Sequence, residues 1–191
     1  MRLIDCVGYI VDGANGLTED GEERMVMTPW SKEPMPFTQA AEFGTQKVIH
    51  DHSTVGVVVT TDGSFGELER GVYLEAEERT IRELKEIGKA FVVLVNSIHP
   101  YSEETINVVQ EIRDKYDVEV MAVNASQLRK EDILEIMERI LRAFPVSQIE
   151  FNLPKWVEML PNSHWLKAEL FEKVRQILAG IAKISDVTRE H

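Results

Sequence analysis

Apolar runs of two periods alternate along the chain. Leu3–Val7 is a short apolar run interrupted by one acid, Asp5, and reads as a first strand. The stretch from Gly8 to about Met35 is rich in Gly, Pro, Asp and Glu and has no period. Its length exceeds that of an ordinary connection, which points to a functional or mobile loop. Pro36–Asp51 then carries Phe37, Ala40, Ala41, Phe43, Val48 and Ile49 at helical spacing. "TVGVVVTT", Thr54–Thr61, is β-branched and continuously apolar, as a strand covered on both faces would be. Val72–Gly88 is a helix pattern that stops at glycine. Ala90–Asn96 is a second buried strand. Ser102 is placed to cap a helix reaching Tyr116, with Glu103 and Glu104 in its first turn. Val118–Val123 is a further strand, and a helix from about Lys130 to Ala143 stops before Pro145.

This succession of β–α pairs predicts an open α/β sheet with right-handed crossovers. Ligands of such sheets sit at the carboxyl ends of the strands. Attention therefore falls on Asp5 and Gly8, on Thr60 to Gly63, on Asn96, and on Asn124 to Ser126. After Pro145 the pattern changes. "VSQIEFNLP" alternates like a half-exposed strand, and a long amphipathic helix follows, capped by Asn162 or Ser163 and ending in the polar tail "SDVTREH". The expected division is thus 1–144 for the α/β domain and 145–191 for the start of a second one, a strand plus a long helix.

Composition narrows the class. The chain has 191 residues, 43% hydrophobic and 28% charged, enough for one globular domain and an appended piece. No apolar run approaches the roughly 18 to 20 residues of a membrane span, so a transmembrane role is not expected. Cys6 is the only cysteine, which rules out a disulfide within the chain. Twenty-one Lys and Arg against 33 Asp and Glu give a net charge of −12. That excess argues against nucleic acid and anionic lipid as bulk partners, although its commonest meaning is solubility.

The strand-end residues carry the candidate chemistry. In phosphate-transfer enzymes an Asp at a strand end holds magnesium, usually through water, and a nearby glycine lets a backbone N–H approach the terminal phosphate. Asp5 and Gly8 have that spacing, and so does any strand-ending turn containing an acid. Asn96 stands where GTPases carry Asn-Lys-x-Asp, but Ser97 and His99 occupy the Lys and Asp positions. Without the acid that accepts from guanine, adenine becomes the better base. A plain turn asparagine is the alternative. Asn124, Ala125 and Ser126 sit where the last base-contacting loop would be, a weak signal, and Ser126 better fits the start of a turn or helix. His50, Asp51 and His52 suit a helix C-terminus without a metal. Trp30, Trp156 and Trp165 read as packing residues. No nucleophile elbow or zincin motif is present, and the chain contains no G-x-x-x-x-G-K-S/T loop.

"RLIDCVGYIVDGANG", "MTPWSKEPMPFTQAAEFGTQKVIHDHSTVGVVVTTDGS", "YLEAEERTIRELKEIGKAFVVLVNSIHPY" and "NLPKWVEMLPNSHWL" together resemble the stage IV sporulation protein A family of spore-coat morphogenetic proteins. The resemblance weakens after about Leu166. It implies a GTPase-like P-loop NTPase domain that hydrolyses ATP with Mg2+. Hydrolysis in that family drives polymerisation, of the protein with itself, into the basement layer of the spore coat. The layer lies in the mother-cell cytoplasm on the outer forespore membrane, where a short amphipathic membrane peptide recruits it and other coat proteins follow. Residue by residue, Asp5 matches the Walker B aspartate that binds magnesium, Gly8 the glycine of the next switch, and Asn96 the retained base-contacting asparagine. Ser97, Asn124 and Ala125 fall on the adjoining base loops. The family's P-loop and first switch lie before "RLIDCVGY" in the pattern, so the expectation is a chain beginning at the Walker B strand, its P-loop strand missing. In a GTPase-like sheet that strand lies between the Leu3–Val7 and Thr54–Thr61 strands. The gap then closes with altered pairing, is filled by another chain, or leaves exposed edges. Such a chain is expected to lack hydrolysis, and a non-catalytic interaction module of coat assembly is the alternative reading. A receiver-like domain fails because no Lys stands at a strand end.

Overall fold

The computed structural model describes residues 2–19 and 21–187. The last four residues of the polar tail, 188–191, lie outside them. The chain divides into two compact units, 1–140 and 141–191.

The first unit is built on a three-stranded parallel sheet of β5 (Val55–Thr61), β6 (Ala90–Asn96) and β7 (Glu119–Val123), in that order. β5 pairs with β6 from Val55↔Ala90 to Thr61↔Asn96, and β6 with β7 from Val92↔Glu119 to Asn96↔Val123. β6 is covered on both faces, whereas β5 leaves Val57 and Val59 exposed on one, so the expectation of a strand covered on both faces fails for β5. Val92, Val93 and Val95 of the central strand β6 and Val120 of β7 are fully buried. The main core joins them to Ile49, Val58, Ile81, Leu84, Phe91 and Ile112. The fold class is therefore the expected open parallel α/β sheet with flanking helices.

Helices fill the crossovers. α2 (Arg70–Glu86) begins two residues earlier than its apolar period suggests and ends at Ile87 and Gly88. Gly88 adopts φ 68°, and the N–H of Lys89 returns to the Leu84 carbonyl at 3.1 Å. α3 (Glu103–Tyr116) is capped by the Ser102 hydroxyl, which accepts from the Thr105 N–H at 3.2 Å. α4 (Lys130–Arg142) follows a 3-10 turn at Ala125–Gln127. α1 (Phe37–Lys47) runs into a π-helical turn at Val48–His52. The Lys89 ammonium closes that turn by donating to the carbonyls of Ile49, His50 and Ser53.

Two expectations change here. Leu3–Val7 forms no strand: no sheet includes it, and Leu3 and Val7 are 84% and 61% exposed. A strand needs a neighbour to satisfy its backbone, and β5, the end strand of the sheet, does not pair with it. The long aperiodic stretch is not wholly irregular. It carries two small antiparallel pairs, β1 (Thr18–Glu19) with β2 (Glu22–Glu23) and β3 (Met25–Val26) with β4 (Met35–Pro36).

In the second unit, 146–154 forms no strand either. Instead Val146 N–H donates to Ala182 O and Ile184 N–H to Phe144 O, both at 3.0 Å, tying the ends of the unit together. α5 (Lys155–Glu158) and α6 (Trp165–Ala179) lie between, followed by α7 (Ile184–Val187). The cap of α6 is His164, whose Nδ1 accepts from Leu166 N–H at 3.2 Å, rather than Asn162 or Ser163. No helix among the described residues is long and apolar enough to cross a membrane.

Candidate functional site

The carboxyl ends of β5, β6 and β7 converge, and hydrogen bonds join their loops. Asp62 follows β5. Its Oδ1 accepts from the Ser64 N–H at 2.9 Å and from the Ser64 hydroxyl at 2.5 Å. Its Oδ2 accepts from the Thr105 hydroxyl at 2.8 Å, across to the first turn of α3. Partial burial alone would raise the Asp62 pKa. Hydrogen bonds from Ser64, Ser97 and Thr105 outweigh it and hold the pKa at about 2. Ser64 Oγ also accepts from Ile98 N–H at 2.9 Å, so Asp62 fixes the loop after β6 at second hand.

Ser97 is fully buried. Its N–H donates to Val123 O at 2.9 Å, and its Oγ accepts from His99 N–H at 3.0 Å and bonds Thr105 Oγ1 at 3.1 Å. Asn96 reaches sideways: its Oδ1 accepts from Ala125 N–H at 2.9 Å. Asn124 Oδ1 accepts from Ser126 N–H at 3.1 Å, and its Nδ2 lies 3.4 Å from Ile98 O. Asn96, Ser97, Asn124 and Ala125 thus belong to one cluster across the β6 and β7 ends.

Arg70, at the start of α2, ties down the base of the β5 loop. Its guanidinium donates to Thr60 Oγ1, to Thr61 O at 3.0 Å, and to both carboxylate oxygens of Glu77 at 2.8 and 3.1 Å. Glu77 is almost wholly buried, so this pair is well shielded from solvent. Gly63 permits the approach. It has φ 89°, and a Cβ there would lie 2.9 Å from the backbone nitrogen of Arg70.

Asp5 and Gly8 stand apart from that cluster. Both line a cavity of about 660 Å3 between residues 4–11 and β5. No hydrogen bond or ion pair among the described residues joins Asp5 to Asn96, Ser97, Asn124 or Ala125. Gly8 has φ 84°, with open space where a side chain would be. Tyr9 next to it is anchored. Its hydroxyl donates to Glu83, the Arg79 guanidinium covers its ring at 4.1 Å, and burial and Glu83 together raise its pKa. His50 also bonds Glu83, at 2.9 Å. No group of three or more His, Cys, Asp or Glu among the described residues is placed to hold a metal. The residues present offer magnesium one exposed carboxylate and offer phosphate no cradle, so they do not by themselves fit an ATP·Mg site.

Ser64, Arg70 and Thr105 were not singled out by sequence, and Asp62 was marked only as part of Thr60 to Gly63, with no role assigned. The turn signal Asp62-Gly63 after a buried strand marks the right place but not the partners, which lie 43 residues away in the case of Thr105.

Comparison with known proteins gives matches along the whole chain. Residues 1–145 match the profile of the stage IV sporulation protein A ATPase domain, and residues 146–191 that of its middle domain. Stage IV sporulation protein A of Bacillus subtilis (strain 168) is 47% identical over 189 residues, 99% of this chain and 38% of that protein. The proteins of that name from Clostridioides difficile (strain 630) and Bacillus anthracis are 49% and 45% identical, over 98% and 99% of this chain. The chain therefore spans 38% of the length of these curated relatives. No solved structure matches it.

Proposed function

The chain belongs to the stage IV sporulation protein A family, and from that premise we propose that it is the switch and base-loop part of a sporulation ATPase. In the complete machine ATP hydrolysis drives self-polymerisation into the basement layer of the spore coat. The setting is the mother-cell cytoplasm at the outer forespore membrane, with an amphipathic membrane peptide and other coat proteins as partners. The observation that carries the ATPase reading is the match of residues 1–145 to the family's ATPase domain. In this reading Asp5 would hold magnesium and Gly8 would leave room for the terminal phosphate in the complete protein, and Asn96, Ser97, Asn124 and Ala125 would shape the loops beside the base. Residues 1–144 act as the partial nucleotide domain and 145–191 open the middle domain.

The 191-residue chain alone binds ATP·Mg weakly and does not hydrolyse it. The P-loop lysine and backbone amides supply most phosphate recognition in such sites, and the sequence contains no such loop. Calorimetric titration with ATP and magnesium tests this. Millimolar or undetectable binding is expected, and micromolar binding abolished by Asp5→Ala refutes it. A second reading, a non-catalytic assembly module, is favoured by the way the base-loop side chains are spent on one another, Asn96 on Ala125 and Ser97 on Thr105 and His99.

A further inference from the structure

Little holds residues 2–16 in place. Leu3–Val7 belongs to no sheet, and Gly8 has open space where a side chain would be. Tyr9 is the exception. Among the described residues it makes the one side-chain hydrogen bond that joins this stretch to the rest of the first unit, its hydroxyl donating to Oε2 of Glu83. The Arg79 guanidinium lies over the same ring, 4.1 Å from its centroid. Arg79 and Glu83 stand one helical turn apart on α2, so a single face of that helix grips both the ring and the hydroxyl.

The grip is braced from both sides. Glu83 Oε1 also bonds Nε2 of His50, in the π-helical turn, at 2.9 Å, and Arg79 pairs with Glu42 of α1. On the inner side α2 is rooted in the core by Ile81 and Leu84. The half-buried phenol thus sits between one cation and one carboxylate, each with a further partner of its own. Phosphoryl transfer to water needs a group that orients the attacking water, and the neighbour of a phosphate-facing glycine is a candidate. Tyr9 has a hydroxyl, but that hydroxyl is spent on Glu83. Burial and the Glu83 carboxylate raise its pKa, which makes the phenol a poor base as well.

We infer that Tyr9 is a positioning residue of the proposed site: clamped by Glu83 and Arg79, it fixes the backbone at Gly8 against α2 and leaves the attacking water to another group. The inference rests on the reading of Gly8 given above. The clamp is tested without nucleotide, so its failure would leave that reading standing, while the ATP titration tests the reading and leaves the clamp untouched.

The 191-residue chain, labelled with 15N and with 13C at tyrosine Cζ, gives two readouts by NMR. Backbone order parameters at Gly8, Tyr9 and Ile10 should be about 0.8 in the parent and below about 0.6 in Tyr9→Ala. Tyr9→Phe, which keeps the ring under Arg79, should fall part of the way. Glu83→Gln, which keeps an acceptor for the hydroxyl, should preserve the order, and Glu83→Ala should lose it. Unchanged order in β6 checks that each variant is folded. The Cζ resonance reports what packing alone would not move. Tyr9 should stay neutral past the pH of about 10 at which an ordinary tyrosine ionises, and Glu83→Gln should bring its ionisation down toward that value. Order at Gly8 that survives Tyr9→Ala would overturn the inference. So would a parent Tyr9 that ionises at about 10, since its hydroxyl would then be free of Glu83.

Discussion

Asp62→Asn isolates the charge that fastens the three strand-end loops. The substitution keeps the shape of the side chain and an acceptor for Ser64, but removes the anion that receives the Ser64 and Thr105 hydroxyls. The native carboxylate titrates at about 2, against about 3.9 for an ordinary aspartate, a gap worth about 2.5 kcal/mol. The side chain is only partly buried, and solvent screening reduces this to about 1–1.5 kcal/mol. The sign follows from the direction of the shift. A carboxylate depressed by folding stabilises the native state above its unfolded value, and that stabilisation disappears as the pH falls from about 4 through about 2. Unfolding in urea is best followed through Trp30 with Trp156 and Trp165 replaced by Phe, since Trp30 is then the one tryptophan and lies in the first unit. The variant should be less stable by about 1–1.5 kcal/mol at pH 7 and at pH 5, and the difference from the parent should shrink below pH 4. A double-mutant cycle with Thr105→Val should return a coupling of about 0.5–1.5 kcal/mol. A difference that stays constant down to pH 2.5 would assign the loss to shape rather than charge. No difference at pH 7 would refute the role of Asp62 altogether.

Other substitutions test neighbouring steps. Gly63→Ala should cost about 2–4 kcal/mol, from left-handed backbone and from the contact with Arg70, whereas Gly66→Ala, at φ 81° with open space around it, should cost about 1 kcal/mol. Paired thermal melts compare the two, and equal losses would dismiss the Arg70 contact. Arg70→Gln leaves the buried Glu77 carboxylate without its cation and should cost about 3 kcal/mol, most of it recovered when Glu77→Gln is added. An unrecovered double variant would mean that the bonds to Thr60 and Thr61 dominate. Ile81→Ala, at a fully buried position, should lower the urea midpoint by the equivalent of about 2–5 kcal/mol with an unchanged slope.

The parts of the fold that burial dictates were legible in the sequence. β6 is buried on both faces, and that requirement writes itself as a continuous apolar run, whereas β5 carries the same kind of run with Val57 and Val59 exposed. α3 was legible to its cap, because Ser102 and the acids behind it satisfy backbone groups within a few residues. What depends on a distant partner was not legible. Leu3–Val7 has the composition of a strand, yet composition cannot provide a neighbour, and the segment lies unpaired beside the β5 edge. The α6 cap shows the same limit at short range. Three consecutive residues, Asn162, Ser163 and His164, can all accept from a helix N-terminus, and only the path of the chain selects the histidine. Asn96 is the most instructive residue. Its type and its place at a strand end suggest a contact with a base, while its Oδ1 is committed to the Ala125 amide. The two functions are compatible if the amide NH2 faces the ligand and the oxygen holds the next loop. In the proposed site Asn96 would then meet a base through its NH2 while its oxygen holds the β7 loop.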